Sequence, residues 1–337
     1  MGKVKSLVAI GIVALVSLSI VGCKMVQKTP EAIQKEVLAK VGDQKITRGD
    51  LDKAMAPLLA QVKKQYGDNF MDNASVKQQY IEAETEQLNG MVDQAIVLQE
   101  AVKLKTVPSD ADLQKQIDER IKFMEQMYGG QEGYQNALKQ AGLTQEEFQK
   151  QIKDQIIINN TLENYVYKDI KVTDQQAQDY YNKNKMEFTT KDSGADVSHI
   201  LVKTKEEAEK IEADLKKDNG KNFAELAKQY SQDPGSKDKG GSLGFVNYDS
   251  TQLVQPFMQA LRTLTKNGEI SQPVQSQYGW HIIKVENVKL AFQPFKDVQK
   301  QIIEQLTQQQ QQTKLNTDLE NWKKDLNVKI YTDKLNK

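Results

Sequence analysis

The amino-acid sequence predicts an α+β protein in which a mostly helical domain, formed by N- and C-terminal segments, carries an inserted compact block of short strands. Two observations predict this organisation. Apolar residues recur at helical spacing before about residue 189 and again after residue 294. Between these stretches, short strand-like runs alternate with Gly- and Pro-rich loops. With a single cysteine the chain cannot form an intramolecular disulfide, so the fold depends on its apolar core.

The charge composition argues against one broad class of partner. The chain has 337 residues, with 46 Lys and Arg against 46 Asp and Glu, so its formal net charge is zero. Binding to nucleic acid requires clustered Lys and Arg that neutralise phosphates and release counterions. We therefore expect no nucleic-acid partner.

The N-terminus has the anatomy of a secretory signal. Two lysines precede an apolar run over residues 7–21, which is too short to span a bilayer comfortably. The run ends in Ile20-Val21-Gly22-Cys23, which resembles the bacterial lipobox, where the chain is cleaved before the cysteine and acyl chains are attached to it. We predict a lipoprotein signal peptide over residues 1–22 and lipidation of Cys23. The alternative is an uncleaved signal anchor with an incidental buried cysteine.

Lipidation would determine where the protein works. Two or three acyl chains anchor a protein stably to a membrane, whereas a single chain does not. An acylated Cys23 would thus hold the chain in membrane lipid, on the extracytoplasmic face of the cell membrane. Residues 23–35 contain Thr29-Pro30 and few apolar side chains, so we interpret them as a tether.

Residues 36–189 form the predicted N-terminal helical segment. It begins with a hairpin, because residues 37–41 and 45–47 flank a Gly-Asp turn. Thr47 and Asp50 then form a capping box ahead of a helix. Further helices are predicted near residues 75–105, 110–128, 132–141, 145–168 and 173–184. Residues 289–337 complete the helical domain, with a helix to about residue 325 and a final strand over 328–331.

The two histidines of the chain both lie in the inserted block, residues 190–288. The period of two in a strand puts His199 on one face with Val197 and Leu201, and puts His281 on one face with Ile283. Each imidazole is thus predicted to be half-sunk among apolar side chains. From spacing alone, a structural core pair and a catalytic pair remain equally open.

Other chemistries find little support. A zinc site needs at least three ligands from His, Cys or carboxylate, and two histidines with no nearby thiol supply too few, so we expect no metal. No nucleophile elbow or triad spacing is present. The glycines of residues 240–244 match no dinucleotide fingerprint and are interpreted as turn residues.

Six segments of the block carry a family resemblance. In order and approximate spacing they resemble parvulin-type peptidylprolyl isomerases. The segments are Ser198-His199-Ile200-Leu201-Val202, Phe223-Ala224-Glu225-Leu226-Ala227, Tyr230-Ser231-Gln232-Asp233-Pro234-Gly235-Ser236, Gly240-Gly241-Ser242-Leu243-Gly244-Phe245, Gly268-Glu269-Ile270-Ser271-Gln272-Pro273-Val274 and Tyr278-Gly279-Trp280-His281-Ile282-Ile283. The resemblance implies a small antiparallel sheet surrounded by helices, and an isomerase that needs no cofactor.

The same resemblance implies roles for individual residues. His199 and His281 match the paired histidines of the family's site, Asp233 its acidic or thiol position, and Ser276 a hydroxyl position beside the histidines. The apolar pocket for the proline ring is matched by Leu243, Leu253 and Phe257, and Tyr278 is grouped with these substrate-binding residues. The basic loop of phosphate-selective parvulins is missing, so we expect no demand for phosphorylated substrates.

The lipoprotein signal, the helical flanks and the insertion of the parvulin block together resemble the PrsA foldase lipoproteins of Gram-positive bacteria. The flanks resemble the helical chaperone region of the SurA and PrsA families more loosely, through Leu38-Ala39-Lys40-Val41-Gly42-Asp43-Gln44-Lys45-Ile46-Thr47. This implies a foldase that receives unfolded or newly translocated secreted proteins with Xaa-Pro bonds. Methionines at helical positions either line a client cleft or fill an ordinary core: Met55, Met71, Met91, Met124 and Met127. Two functions therefore stay open, a membrane-anchored prolyl isomerase and an ATP-independent holdase whose parvulin block is weakly active or structural. The sequence also leaves open whether the chain forms a homodimer.

Overall fold

The computed structural model describes residues 29–335. The predicted signal peptide and Cys23 lie outside the described residues. Within residues 29–335, no helix combines the length and the apolar character that a membrane span requires.

The described residues form eleven α-helices and seven strands, and six of the helices follow one another between β2 and β3. The helices are α1 (Pro30–Gln34), α2 (Arg48–Tyr66), α3 (Ala74–Lys103), α4 (Asp110–Met127), α5 (Gln131–Gln140), α6 (Gln145–Thr161), α7 (Asp174–Lys183), α8 (Lys205–Lys217), α9 (Phe223–Tyr230), α10 (Gln255–Leu261) and α11 (Phe295–Asp325). The strands are β1 (Val37–Val41), β2 (Gln44–Thr47), β3 (Gly194–Val202), β4 (Ser242–Asn247), β5 (Val274–Ser276), β6 (Gly279–Lys289) and β7 (Lys329–Ile330). Shorter 3₁₀ turns cover Phe70–Asp72, Lys185–Phe188, Lys237–Lys239 and Thr332–Lys334, and a π turn covers Leu162–Val166.

The chain divides into two compact units. The terminal unit combines the described residues up to Thr161 with those from Leu319 to residue 335, and the central unit spans Leu162–Asp318. The predicted fold class, a mostly helical protein with a small antiparallel sheet domain, is confirmed. The central unit begins before and ends after the predicted block, residues 190–288. The bounds of that block stay a prediction.

The terminal unit is built on a three-stranded antiparallel sheet with the order β2-β1-β7. The predicted hairpin pairs Lys40 with Lys45, and the predicted last strand adds to its other side, where Ala39 pairs with Ile330. The predicted capping box at Thr47 and Asp50 begins α2. Two chain segments far apart in sequence thus share one sheet.

The structure adds one helix that was not predicted and shortens another, while the tether stays a prediction. The segment interpreted as a tether contains helix α1, which begins because the Thr29 side chain accepts the Ala32 N–H and Pro30 presets the first turn. The helix predicted over 145–168 ends as an α-helix at Thr161, whose hydroxyl donates to the Ile157 carbonyl. A π turn follows, in which the Tyr167 N–H donates to the Leu162 carbonyl.

The central unit contains a four-stranded antiparallel sheet with the order β4-β3-β6-β5. Its two middle strands are covered on both faces. One face carries Val197, Phe257 and Ile283, and the other carries Ile200 and Ile282 against α8 and α9. Helix α7 packs on the first half of α11 through a separate apolar cluster, Ala177, Tyr181, Phe188, Val298 and Ile302. Side chains on β3 and β6 are therefore held in dry, close-packed surroundings.

Arg48 connects α3 to the C-terminal residues of the terminal unit. Arg48 Nη1 lies 3.0 Å from Glu84 Oε1, and Arg48 Nη2 donates to the Lys334 carbonyl at 2.9 Å. Glu84 is 7% exposed, and burial raises its pKa although Arg48 opposes this. Without Arg48 the carboxylate would be a buried, unpaired charge.

We expect Arg48→Met to lower the unfolding free energy of the terminal unit by about 3 kcal/mol at neutral pH, because it leaves the buried Glu84 carboxylate without its ion-pair partner. Adding Glu84→Gln should recover most of that loss. The two tryptophans are Trp280 in the central unit and Trp322 in the terminal unit, so denaturant unfolding in a Trp280→Phe background is followed by Trp322 fluorescence. Equal unfolding free energies of the single and double variants would contradict the explanation that the loss comes from an unpaired Glu84 carboxylate.

Candidate active site

Two neighbouring strands place the histidines side by side. In the register of β3 and β6, His199 pairs with Ile283 and Leu201 pairs with His281. His199 and His281 are 6% and 4% exposed, and the planes of their imidazoles make an angle of 17°. The Nδ1 atom of His199 lies 3.3 Å from the Nδ1 atom of His281. The half-sunk placement expected from the strand period is thus deeper than the sequence indicated.

A glycine keeps His199 in this position. The His199 N–H donates to the Gly241 carbonyl at 2.8 Å, and Gly241 has a φ of +84°. A Cβ at Gly241 would lie 2.3 Å from the His199 carbonyl oxygen. Only glycine fits both the left-handed backbone and this close approach, so Gly241 is a structural requirement of the site.

Asp233 and Ser236 bind the outer nitrogen of His199. His199 Nε2 lies 2.9 Å from Asp233 Oδ2 and 3.0 Å from Ser236 Oγ. The Ser236 hydroxyl donates to the same carboxylate oxygen. The Gly235 N–H donates to Asp233 Oδ1 at 3.3 Å. Both oxygens of this carboxylate therefore have partners within the loop.

Ser276 binds the outer nitrogen of His281. Its Oγ lies 2.7 Å from His281 Nε2, and it accepts the Tyr278 N–H at 3.1 Å. The turn between β5 and β6 brings these residues together. The structure thus links four predicted catalytic positions in one chain of contacts: Asp233, His199, His281 and Ser276.

These contacts allow one order of donors when both histidines are neutral. The ionised Asp233 can only accept, so His199 carries its proton on Nε2 and leaves Nδ1 as an acceptor. His281 must then carry its proton on Nδ1 and donate it to His199. Its Nε2 in turn accepts the Ser276 hydroxyl. Every polar side-chain atom of this four-residue network has a hydrogen-bond partner, as a buried network requires.

The pKa shifts of His281 and Asp233 fit this donor order. The pKa of His281 is lowered to about 4, first by burial and second by the adjacent His199, while Asp233 acts in the opposite direction. Burial by itself would raise the pKa of Asp233, but hydrogen bonds from Ser236, His199 and the Gly235 N–H hold it below its ordinary value. At neutral pH the site therefore contains an ionised Asp233 carboxylate and an uncharged His281, with His199 between them.

An apolar pocket opens beside the histidines. Phe257 on α10 lies beneath them, with its ring centroid 5.7 Å from that of His199 and 5.4 Å from that of His281. Leu243 and Leu253 join Phe257 in lining a cavity of about 510 Å³ that also includes both histidines. Tyr278, 64% exposed, stands at its rim. The structure thus gathers the whole predicted substrate-binding set at one cavity.

Sequence reasoning missed Ser236 although its motif was recognised. Ser236 is buried and touches both Asp233 and His199. Pro234 and Gly235 favour a turn, which brings its first and fourth residues together. That signal could have paired Asp233 with Ser236. In the described chain, no cluster of three or more His, Cys, Asp or Glu side chains is arranged to hold a metal ion.

Comparison with known proteins assigns the class of this domain. A PPIC-type peptidylprolyl isomerase domain model matches residues 188–287, and a SurA-like N-terminal domain model matches residues 2–162. The central unit therefore carries a parvulin-type peptidylprolyl isomerase domain, and the chain is an enzyme of that class.

Relatives over the full length assign the family. Foldase protein PrsA of Clostridium perfringens is 39% identical over 340 residues, covering 99% of this chain and 98% of the relative. Foldase protein PrsA of Clostridium botulinum is 39% identical over 339 residues, covering 99% and 100%. The chain belongs to the PrsA foldase family. A crystal structure of the peptidylprolyl isomerase PrsA from Bacillus anthracis is 32% identical, covers 72% of this chain and 98% of that chain, and has a TM-score of 0.33.

We expect His281 to remain neutral down to about pH 5, because burial and His199 disfavour its charged form. NMR titration of histidine carbon shifts measures this, and a His199→Gln variant assigns the signals, since the chain has two histidines. A His281 midpoint near its ordinary value of about 6.5 would contradict the dry site. By linkage, a lowered pKa makes the folded state lose stability as pH falls from about 6.5 toward 4, and this loss should be smaller in His281→Gln.

Proposed function

We propose that the chain is a membrane-anchored extracytoplasmic foldase that catalyses cis–trans isomerisation of Xaa-Pro bonds in unfolded secreted proteins by a non-covalent mechanism. The observation that carries this proposal is the buried network of His199, His281, Asp233 and Ser276 beside the apolar pocket. We assign residues 190–288 to the isomerase domain. Residues 36–189 and 289–337 are assigned to a helical chaperone domain.

The barrier dictates what the site must do. Rotation of a prolyl amide costs about 18–20 kcal/mol because resonance between the carbonyl and the nitrogen must be broken. No bond to the substrate forms or breaks. The twisted amide has lost charge separation. Contact with an apolar surface such as Phe257 therefore carries a smaller desolvation free energy for the twisted amide than for the planar ground state. Leu243, Leu253 and Phe257 would hold the proline ring there.

The network would orient the carbonyl while the amide turns. Its donors and acceptors are fixed in advance by Asp233 at one end and Ser276 at the other. A preorganised network pays no reorganisation cost when the charge distribution of the amide changes. Covalent attack by Asp233 is disfavoured, because both of its oxygens accept hydrogen bonds within the loop.

The charges around the pocket favour unphosphorylated substrates. Among the described residues that line it, Asp233 is the one with an ionised side chain, and Lys and Arg are absent. A phosphate next to the proline would therefore meet a carboxylate rather than a guanidinium or ammonium group. Lys203 and Lys205 lie outside the lining, and Lys205 pairs with Glu209 at 3.2 Å.

We expect His281→Ala to slow isomerisation of unphosphorylated Xaa-Pro peptides about a hundredfold, because it removes a preorganised partner of the turning amide. Exchange NMR measures the cis–trans rate. Tyr165→Ala is the control, since Tyr165 is an exposed aromatic residue of the central unit outside the pocket lining. His281→Gln checks that any loss does not come from the cavity that alanine leaves.

An unchanged rate in folded His281→Ala would overturn the catalytic role of His281. Absence of any acceleration by the wild type would instead favour the second candidate function, an ATP-independent holdase.

One observation favours that second function beside the first. Helices α4 and α6 of the terminal unit line a groove of about 720 Å³ with apolar and polar side chains, among them Phe123, Met124, Phe148, Ile152 and Ile156. Flexible thioethers suit varied apolar segments. The five candidate methionines differ in placement. Met124 lines the groove and Met55 is buried in the core, whereas Met91 is half-buried and Met71 and Met127 are exposed.

Membrane anchoring is proposed from the lipobox-like residues before Cys23. We expect Cys23→Ser to move the protein from the membrane fraction to the soluble fraction, because acyl chains supply the affinity for lipid. Fractionation of cells expressing each form, with detection by antibody, measures this, and His281→Ala is the control that leaves the signal intact. Tight membrane retention of the serine variant would contradict the lipoprotein assignment.

A further inference from the structure

Strand β4 leaves one backbone edge open. It is the outer strand of the four-stranded sheet, and among the strands of residues 29–335 it pairs with β3 alone. In antiparallel pairs, successive residues point their N–H and C=O groups alternately toward and away from the partner strand. The Tyr248 N–H donates to the Ser193 carbonyl, and the register continues through Val246 with Ala195. The backbone groups of Phe245 therefore point away from β3, toward the open edge.

A groove runs along this edge and joins the isomerase pocket. Its volume is about 500 Å³. Leu243, Gln252 and Leu253 line both the groove and the pocket beside the histidines. A polypeptide with its proline in the pocket would thus continue directly into the groove. The rest of the lining is Lys191, Phe245, Val246, Asn247, Asp249, Ser250 and Thr251.

Phe245 offers a fixed aromatic surface in that groove. Phe245 is 44% exposed, yet its ring packs on the backbone of Gly194, where an added Cβ would lie 2.7 Å from ring carbons. The Lys289 ammonium lies 5.5 Å from the ring centroid. An aromatic ring held in this way presents apolar area with little entropy left to lose.

The bulge in β4 does not close the edge. The register of β3 and β4 shifts between Val197 and Ser198, opposite Leu243, which is left unpaired and packs with the apolar cluster around Phe257. Bulges re-aim one side chain next to functional sites. From Gly244 to Asn247 the pairing is regular, so a stretch of edge remains that can accept another strand.

We propose that the client segment adjoining the Xaa-Pro bond binds as an extended strand on the β4 edge, with one apolar or aromatic side chain on Phe245. This inference rests on the proposed isomerase function. Main-chain hydrogen bonds require no particular side chains, while one anchor selects extended, apolar-bearing polypeptide over compact or highly polar chains. The substrate class is therefore unfolded polypeptide with strand character beside its proline.

The test compares peptides of two lengths on the full chain. A short peptide covers only Xaa-Pro and its neighbours, and two longer ones add about five residues of alternating apolar and polar character before or after the proline, the usual length of a strand. The measured quantity is the ratio of kcat/KM for long and short peptides. We expect one extension to raise it about tenfold, and Phe245→Asp to reduce that gain at least fivefold. Phe245→Leu should keep most of it, and Tyr165→Asp is the matched exposed aromatic control.

A second measurement tests the strand itself. Replacing one amide of the favoured long peptide at a time by an ester removes an N–H donor and leaves the side chains unchanged. Pairing with β4 predicts losses of affinity at alternate positions. No length preference, or one that survives Phe245→Asp, or ester effects without alternation, would overturn the inference. No acceleration of even the short peptide would instead contradict the proposed isomerase function.

Discussion

The facing Nδ1 atoms of His199 and His281 are the constraint on which the rest of the site depends. Two buried imidazoles that meet through the same nitrogen can share only one proton there. The direction of that hydrogen bond is set from outside the pair, by a carboxylate that accepts at one end and a hydroxyl that donates at the other. Removal of either end would leave a buried polar atom without a partner or reverse the order. The network therefore acts as one unit.

The fold supplies this constraint through strand register rather than through loops alone. Antiparallel pairing of β3 with β6 puts the histidines diagonally opposite on one face. Apolar clusters on both faces of the sheet help to bury the histidines, and this burial lowers the pKa of His281 and strengthens each polar contact. Gly241 lets the adjacent chain approach the His199 backbone. The bulge in β4 turns Leu243 toward the same cavity, so the chemistry and the pocket share one structural origin.

Local patterns predicted much of this architecture, because they record local physical chemistry. The hairpin at 37–47, the capping box at Thr47 and the last strand were all marked by turn, cap or alternation signals. Strand period placed both histidines on interior faces. Contacts that depend on tertiary approach were not visible: the order of proton donors, the role of Ser236 and the open edge beside Phe245. Helix α1 was missed because five residues give too little periodicity, although Thr29 and Pro30 carry a cap signal.

The most direct test of the central claim is the protonation of the histidine nitrogens themselves. The sample is the protein labelled with ¹⁵N at its histidines, at neutral pH. Long-range nitrogen–proton NMR correlations then report which nitrogen of each ring carries the proton. The network predicts an Nε2-protonated His199 and an Nδ1-protonated His281, with this order lost in Asp233→Ala. Two rings of the same tautomer, a charged His281, or an order unchanged without Asp233 would contradict it.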